Sequence, residues 1–182
     1  MKKLTGSRML QVAVLFCGLL IANTVAAQSA KDKQLIKDAE AAKADFLKTD
    51  ALMKKLFDNA HAYAIFPNIG KGGIGVGGAA GNGIVYQNGK MIGKASMRQV
   101  NIGFQFGGQA YREVIFFENS ETLERFKENK VELSAQVSAI AVKTGAAATA
   151  KYADGVMIFT QQKGGLMYEA TVGGQKFKFE PF

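Results

Sequence analysis

The sequence predicts an α+β fold: N-terminal helices packed on a strongly curved, mostly antiparallel, glycine-rich sheet, with one further short helix. Three observations carry this expectation. Apolar residues recur at helical spacing across residues 29–60. Glycine then crowds residues 70–108, which hold 13 of the 21 glycines. Beyond Val114, short apolar runs bounded by glycine turns surround a single helical stretch. Helices first and strands afterwards, without βαβ alternation, is the pattern of helices segregated from an antiparallel sheet.

The first 27 residues read as an export signal. Lys2, Lys3 and Arg8 form a basic start, Met9 to Ile21 an apolar stretch, and Val25-Ala26-Ala27 a small-residue cleavage site. Residues 28–182 are then expected to form one domain, helical over 28–60 and sheet-rich over 61–182. The leader takes three cations and no acid, so the net charge falls from +8 to +5. It also takes Cys17, the one cysteine. The expected mature chain therefore has no disulfide, thiol nucleophile or thiolate metal ligand. The expected location is periplasmic, or peripheral on the cell envelope.

Leu35, Ala39, Ala42 and Phe46 follow 4-3-4 spacing, widened by Ile36 and Leu47. Thr49 and Asp50 are cap-type residues that restart a second helix, with Leu52, Met53, Leu56, Phe57 and Ala60 on its apolar side.

In the glycine-rich region, Asn82-Gly83 and Asn88-Gly89 are both type I′ hairpin signals. Ile74 to Gly77 and Ile84 to Tyr86 read as short strands around them, and Val100 to Gln109 alternates. Val114-Ile115-Phe116-Phe117 is apolar throughout and should be a buried strand. Ser120 is the expected cap of a helix over residues 121–129, with Leu123 and Phe126 inward. Strands are expected over 132–142, 156–162, 166–172 and 175–179. Gly164-Gly165 and Gly173-Gly174 supply the turns, and 144–150 a loop or short helix.

No catalytic constellation emerges. Two Gly-x-Gly-x-x-Gly matches begin at Gly70 and Gly73, but neither opens a helix, and no acid follows until Glu113. Neither Gly70-Lys71 nor Gly89-Lys90 continues into the Ser or Thr of a phosphate-binding loop. His61 would need an acid and a nucleophile placed by the fold, which no local sequence suggests, and no serine sits in a Gly-x-Ser-x-Gly elbow. No enzyme activity, cofactor or metal is expected.

Charge is more telling. Residues 59–112 carry Lys71, Lys90, Lys94, Arg98 and Arg112 without one acid, whereas residues 113–132 carry six Glu against three cations. A glycine-rich sheet bearing that basic stretch would attract anions. For an exported chain the natural anions are lipid headgroups rather than nucleic acid.

Residues 64–83, from Ala64-Ile65-Phe66-Pro67 through Lys71-Gly72-Gly73 to Asn82-Gly83, resemble the signature of the SYLF domain, also called the Ysc84 actin-binding domain. The likeness continues through Asn101 to Gln109, Phe116-Phe117, Leu123 to Phe126, and Lys163 to Gly174, and so spans about residues 30–180. The resemblance implies binding rather than catalysis, since family members bind lipid headgroups and some bind actin. It aligns the family's amphipathic helix with residues 29–48, giving Lys31, Lys33, Lys37 and Lys43 a membrane role. Asp32, Asp38, Glu40 and Asp45 offset those charges. The expectation is a non-enzymatic protein that binds anionic phospholipid at a membrane surface through those four lysines and through Lys71, Lys90, Lys94 and Arg98. An exported protein meets no actin. The alternative is a protein-interaction or structural module with an envelope partner, using its glycine-rich groove or a sheet edge.

Overall fold

The computed structural model describes residues 30–74, 76–102, 109–128, 139–163 and 174–182. The expected leader, most of the strand predicted over 132–142 and all of that over 166–172 lie outside these residues. The chain divides into two compact units, Met1–Ile36 and Lys37–Phe182. Of the first, residues 30–36 are described and are helical, with Lys31 and Lys33 exposed.

In the second unit, helix α1 (residues 30–49) continues from Lys37 and buries Ala39, Ala42 and Phe46, as their spacing predicts. Helix α2 (Met53–Asn59) buries Met53 and Phe57. Leu52, expected on its apolar side, is 43% exposed because it occupies the N-cap, one step before the helical phase begins. Asp50 makes the corner. Its Oδ1 accepts from Leu52 N–H at 3.1 Å and its Oδ2 from Ala147 N–H at 2.9 Å. Ala147 lies in α4 (Ala146–Thr149), so one buried carboxylate ties the helical corner to a distant loop.

The strands are β1 (Ala62–Ile74), β2 (Val76–Gln87), β3 (Lys90–Ile102), β4 (Gln109–Phe117), β5 (Ile140–Ala141), β6 (Val156–Gln162) and β7 (Gln175–Pro181). Their order in the sheet is β5-β6-β4-β1-β2-β3-β7. Every pairing is antiparallel except β5 with β6. Helix α3 (Ser120–Lys127) follows β4. Its cap is Asn119 rather than Ser120, since Asn119 Oδ1 accepts from Thr122 N–H at 3.0 Å. Leu123 and Phe126 point inward as expected.

Two features explain how glycine and proline enter strands of 12 and 13 residues, longer than the short ones expected. Pro67 sits mid-strand in β1, where it cannot donate to the ladder. The register slips there against both neighbours, between Ile65 and Asn68 on one side and Phe66 and Ile69 on the other. A bulge thus absorbs the missing donor. Asn82-Gly83, expected to be a turn, instead lies inside β2, paired with β1 and β3. Its glycine answers a packing demand: a Cβ on Gly83 would lie 2.5 Å from Ile65 O and 2.8 Å from the Phe66 ring. The turn is at Asn88-Gly89, where both residues have positive φ, 49° and 75°.

Cross-strand pairing defines the two faces of the sheet. The inner face carries Phe66, Ile69, Ala95, Met97, Ile115, Phe117, Ile158 and Phe177, closed by Leu123 and Phe126 of α3. Phe177 on β7 packs its ring 5.8 Å from Phe66 and 5.2 Å from Phe126. With β1 and β7 separated by two strands in the sheet, this contact requires a tight curl. The outer face is partly covered by helices: Phe57 sets its ring 5.1 Å from Tyr63 and 5.0 Å from Phe116.

Candidate functional site: the exposed face of β3 and β7

The outer face of β3 and β7 and the far part of β1 and β2 is exposed beyond Asn68, where Asn68 Nδ2 donates to Asp38 of α1 at 3.4 Å. One row across four strands reads Gly70, Ala80, Arg98 and Lys176; Asn68, Asn82, Ser96 and Lys178 form a neighbouring row. Lys94 pairs with Glu180, and Lys178 reaches the same carboxylate at 2.8 Å. Arg98, Lys176 and Lys178 are exposed, and Val100, two residues beyond Arg98 on the same face, is 73% exposed. Beside them Gly70 and Gly72 offer bare backbone, with nothing within 4 Å of where a Cβ would stand. The result, among the described residues, is a cationic surface with a protruding apolar side chain and a side-chain-free strip.

Arg98 and Lys176 stand directly opposite each other. Like charges in register destabilise a sheet by a few tenths to ~1 kcal/mol. Their juxtaposition is a local cost that concentrates positive charge on an exposed surface.

The structure separates the basic residues that the sequence grouped. Lys94 and Arg98 share the face of β3 just described. Lys71 projects to the opposite side of the sheet, in the row of Ala79 and Gln99, and is half-buried. Lys90 is exposed beside the Asn88-Gly89 turn. Lys37 is exposed on α1, while Lys43 folds back, its Nζ donating to Tyr63 Oη at 3.0 Å. Lys176 and Lys178 went unrecognised in the sequence reading. Their alternation with Phe177 and Phe179 signals that they share a face, but not that β7 lies beside Arg98.

A second polar group lies inside the curl. Glu113 is wholly buried, and its Oε2 accepts from Gln175 Nε2 at 3.0 Å. Burial pushes the Glu113 carboxyl up to about 7, partly offset by that hydrogen bond. Burial, and then the Glu113 charge, also push the nearby Tyr111 phenol upward. Among the described residues, no partner reaches Glu113 Oε1, Gln175 Oε1 or Tyr111 Oη. None of these buried groups opens onto a nucleophile or a metal-ligand set; no three acids or histidines gather as one among the described residues. The described residues include no helix long and apolar enough to cross a membrane.

Residues 98–180 match the family model Ysc84, described as a Las17-binding protein actin regulator. Over 127 residues the chain is 31% identical to Beta cell expansion factor A of Aeromonas veronii, covering 68% of this chain and 48% of that protein. The chain thus spans about half the length of this curated relative. The matched family segment begins at Arg98 and takes in β7, so it contains most of the cationic face.

Proposed function

From the premise that the chain belongs to the SYLF (Ysc84) family, a family of non-enzymatic binding modules, we propose that it is an exported protein of the bacterial envelope that adsorbs to anionic phospholipid. The observation that carries the reading is the outer face of β3 and β7. Arg98, Lys176 and Lys178 are exposed together there, beside an exposed Val100 and the open backbone of Gly70 and Gly72. Each basic residue held near an anionic leaflet contributes ~1 kcal/mol. Exposed Val100 adds apolar contact, and a flat glycine strip lets headgroups approach the backbone. Adsorption of this kind is reversible and weakens with salt, because the attraction is screened over ~8 Å at physiological ionic strength.

The test is co-sedimentation with vesicles of phosphatidylglycerol and phosphatidylcholine, against phosphatidylcholine alone, at two salt concentrations. Binding to the anionic vesicles only, reduced by salt and by Arg98→Glu, is the expected result. Equal binding to both vesicles, or to neither, overturns the reading. The protein-interaction alternative draws on β7, which stands at the edge of the sheet formed by the described strands. It predicts a cross-linked envelope protein without vesicle binding.

A further inference from the structure

Away from the cationic face, at the end of the sheet marked by the Asn88-Gly89 turn, lies a cleft of about 600 Å³. Its walls come from α1 (Lys43), the end of α2 and its C-cap (Phe57 to Ala60), His61, Tyr63 of β1, the turn itself, and Glu118 just after β4.

Lys43 is the distinctive group. Its ammonium lies 4.7 Å from the centroid of the Phe57 ring and 5.0 Å from that of Tyr63, and donates to Tyr63 Oη at 3.0 Å. Tyr63 in turn stacks on Tyr86 at 4.9 Å. Among the described residues no carboxylate lies within 4 Å of it, unlike Lys54, Arg112 and Lys127, which each hold an acid at 2.6–2.7 Å. A half-buried cation fixed by ring faces, without an ion-pair partner among the described residues, keeps N–H donors beyond the one given to Tyr63. Ring faces and a hydroxyl hold it in one position, so it is presented to the cleft already ordered.

His61 adds a second polar ring to the wall. Its Nε2 lies 3.1 Å from Gln87 Nε2, and the tautomer sets which ring nitrogen donates.

The rest of the wall has the opposite polarity. Asp58 is neutralised by Lys54 at 2.6 Å, but Glu118 is exposed and forms no ion pair among the described residues. The C-terminal end of α2, the negative end of its dipole, also lines the cleft. A simple anion would meet Lys43 and His61 but also Glu118 and the negative helix end. A simple cation would meet the reverse conflict. A ligand with both charges satisfies both walls.

We propose that this cleft binds a small zwitterion, an anionic phosphate or carboxylate group joined by a short link to a primary ammonium. The anion takes the remaining donors of Lys43, beside His61; the ammonium takes Glu118, near the negative end of α2. A primary ammonium fits better than a quaternary one, because Lys43 already occupies the aromatic faces and the remaining wall offers hydrogen-bond acceptors. Gly89, with nothing within 4 Å of a Cβ position, leaves the turn side open for entry. The inference does not depend on the cationic face of β3 and β7.

The test is a titration of the full chain with O-phosphoethanolamine, followed by the amide resonances of His61, Asn88 and Gly89. Saturable shifts at these positions are expected. Phosphocholine, inorganic phosphate and ethanolamine should each bind at least about tenfold more weakly. Lys43→Met, which keeps the apolar stem, and Glu118→Gln, an exposed change that leaves packing untouched, should each weaken binding by about tenfold. Arg98→Glu should leave the titration unchanged, which separates this site from vesicle adsorption. Absence of shifts, equal binding of inorganic phosphate, or unchanged affinity in Glu118→Gln overturns the proposal. Phosphatidylethanolamine vesicles give the source: competition with the soluble ligand assigns a lipid headgroup, and binding without competition assigns a free zwitterion.

Discussion

Glu113 on β4 and Gln175 on β7 share a 3.0 Å hydrogen bond, although three strands separate β4 from β7 in the sheet. The bond crosses the interior and marks how tightly the sheet closes on itself. It also leaves one oxygen on each partner, Glu113 Oε1 and Gln175 Oε1, without a donor among the described residues. Burial favours the protonated form of this carboxyl.

Stability should therefore depend on pH through Glu113. Its folded value of about 7 lies above the ordinary carboxylate value, so the folded state holds the proton more tightly than the unfolded chain. The stabilisation is complete below about pH 4, declines as pH rises toward 7, and is flat above that. The span is on the order of 3 kcal/mol, because each unit of difference is worth 1.36 kcal/mol. Urea denaturation at a series of pH values measures it. Glu113→Gln should remove most of the slope, and a slope of opposite sign would show that Glu113 is ionised and stabilised in the fold.

Asp50 should act in the opposite sense. Burial works to raise its carboxyl, but the backbone amides of Ala147, Leu52, Gly145 and Ala146 outweigh it and hold the value below normal. Its stabilisation is present above the unfolded carboxylate value and is lost as pH falls through the lower folded one. Asp50→Ala leaves the amides of Leu52 and Ala147 without their acceptor and should cost about 1–2 kcal/mol at neutral pH. Thermal unfolding of the two proteins at pH 7 checks this.

Gly83→Val should be severely destabilising, by about 3 kcal/mol or more, since its Cβ would overlap both backbone and ring. Gly70→Ala is the control, because open space lies above that position and β-strand conformation suits alanine. Circular dichroism melts of both variants should separate widely; equal melts would mean that Phe66 moves aside without cost.

Arg98→Glu should stabilise the fold while weakening its adsorption. The substitution replaces a like-charged pair with Lys176 by an opposite pair, worth a few tenths to ~1 kcal/mol. It also changes the surface by two charges, about 2 kcal/mol or some 30-fold in binding to anionic vesicles. A loss of both stability and binding would instead indicate that Arg98 is a structural residue.

Much of this molecule is set by local sequence. The helical stripe of Ala39, Ala42 and Phe46, the apolar strand through Phe116 and Phe117, the inward Leu123 and Phe126, and the Asn88-Gly89 turn each follow from short-range periodicity or from one residue's backbone preference. The family is likewise legible, through contiguous runs such as Phe116-Phe117 and Leu123 to Phe126 that fall inside the matched segment. What the tertiary structure alone decided is long-range. Asn82-Gly83 became strand because Phe66 needed the space over Gly83. β7 came to lie beside β3, bringing Lys176 to Arg98, and the curl brought Gln175 to Glu113. The folding of α1 onto β1 drew Lys43 out of the basic set and fixed it against Tyr63. Alternation along a strand tells which residues share a face, but not which strand will be its neighbour. That choice belongs to the packing of the whole sheet, and with it the shape of both candidate sites.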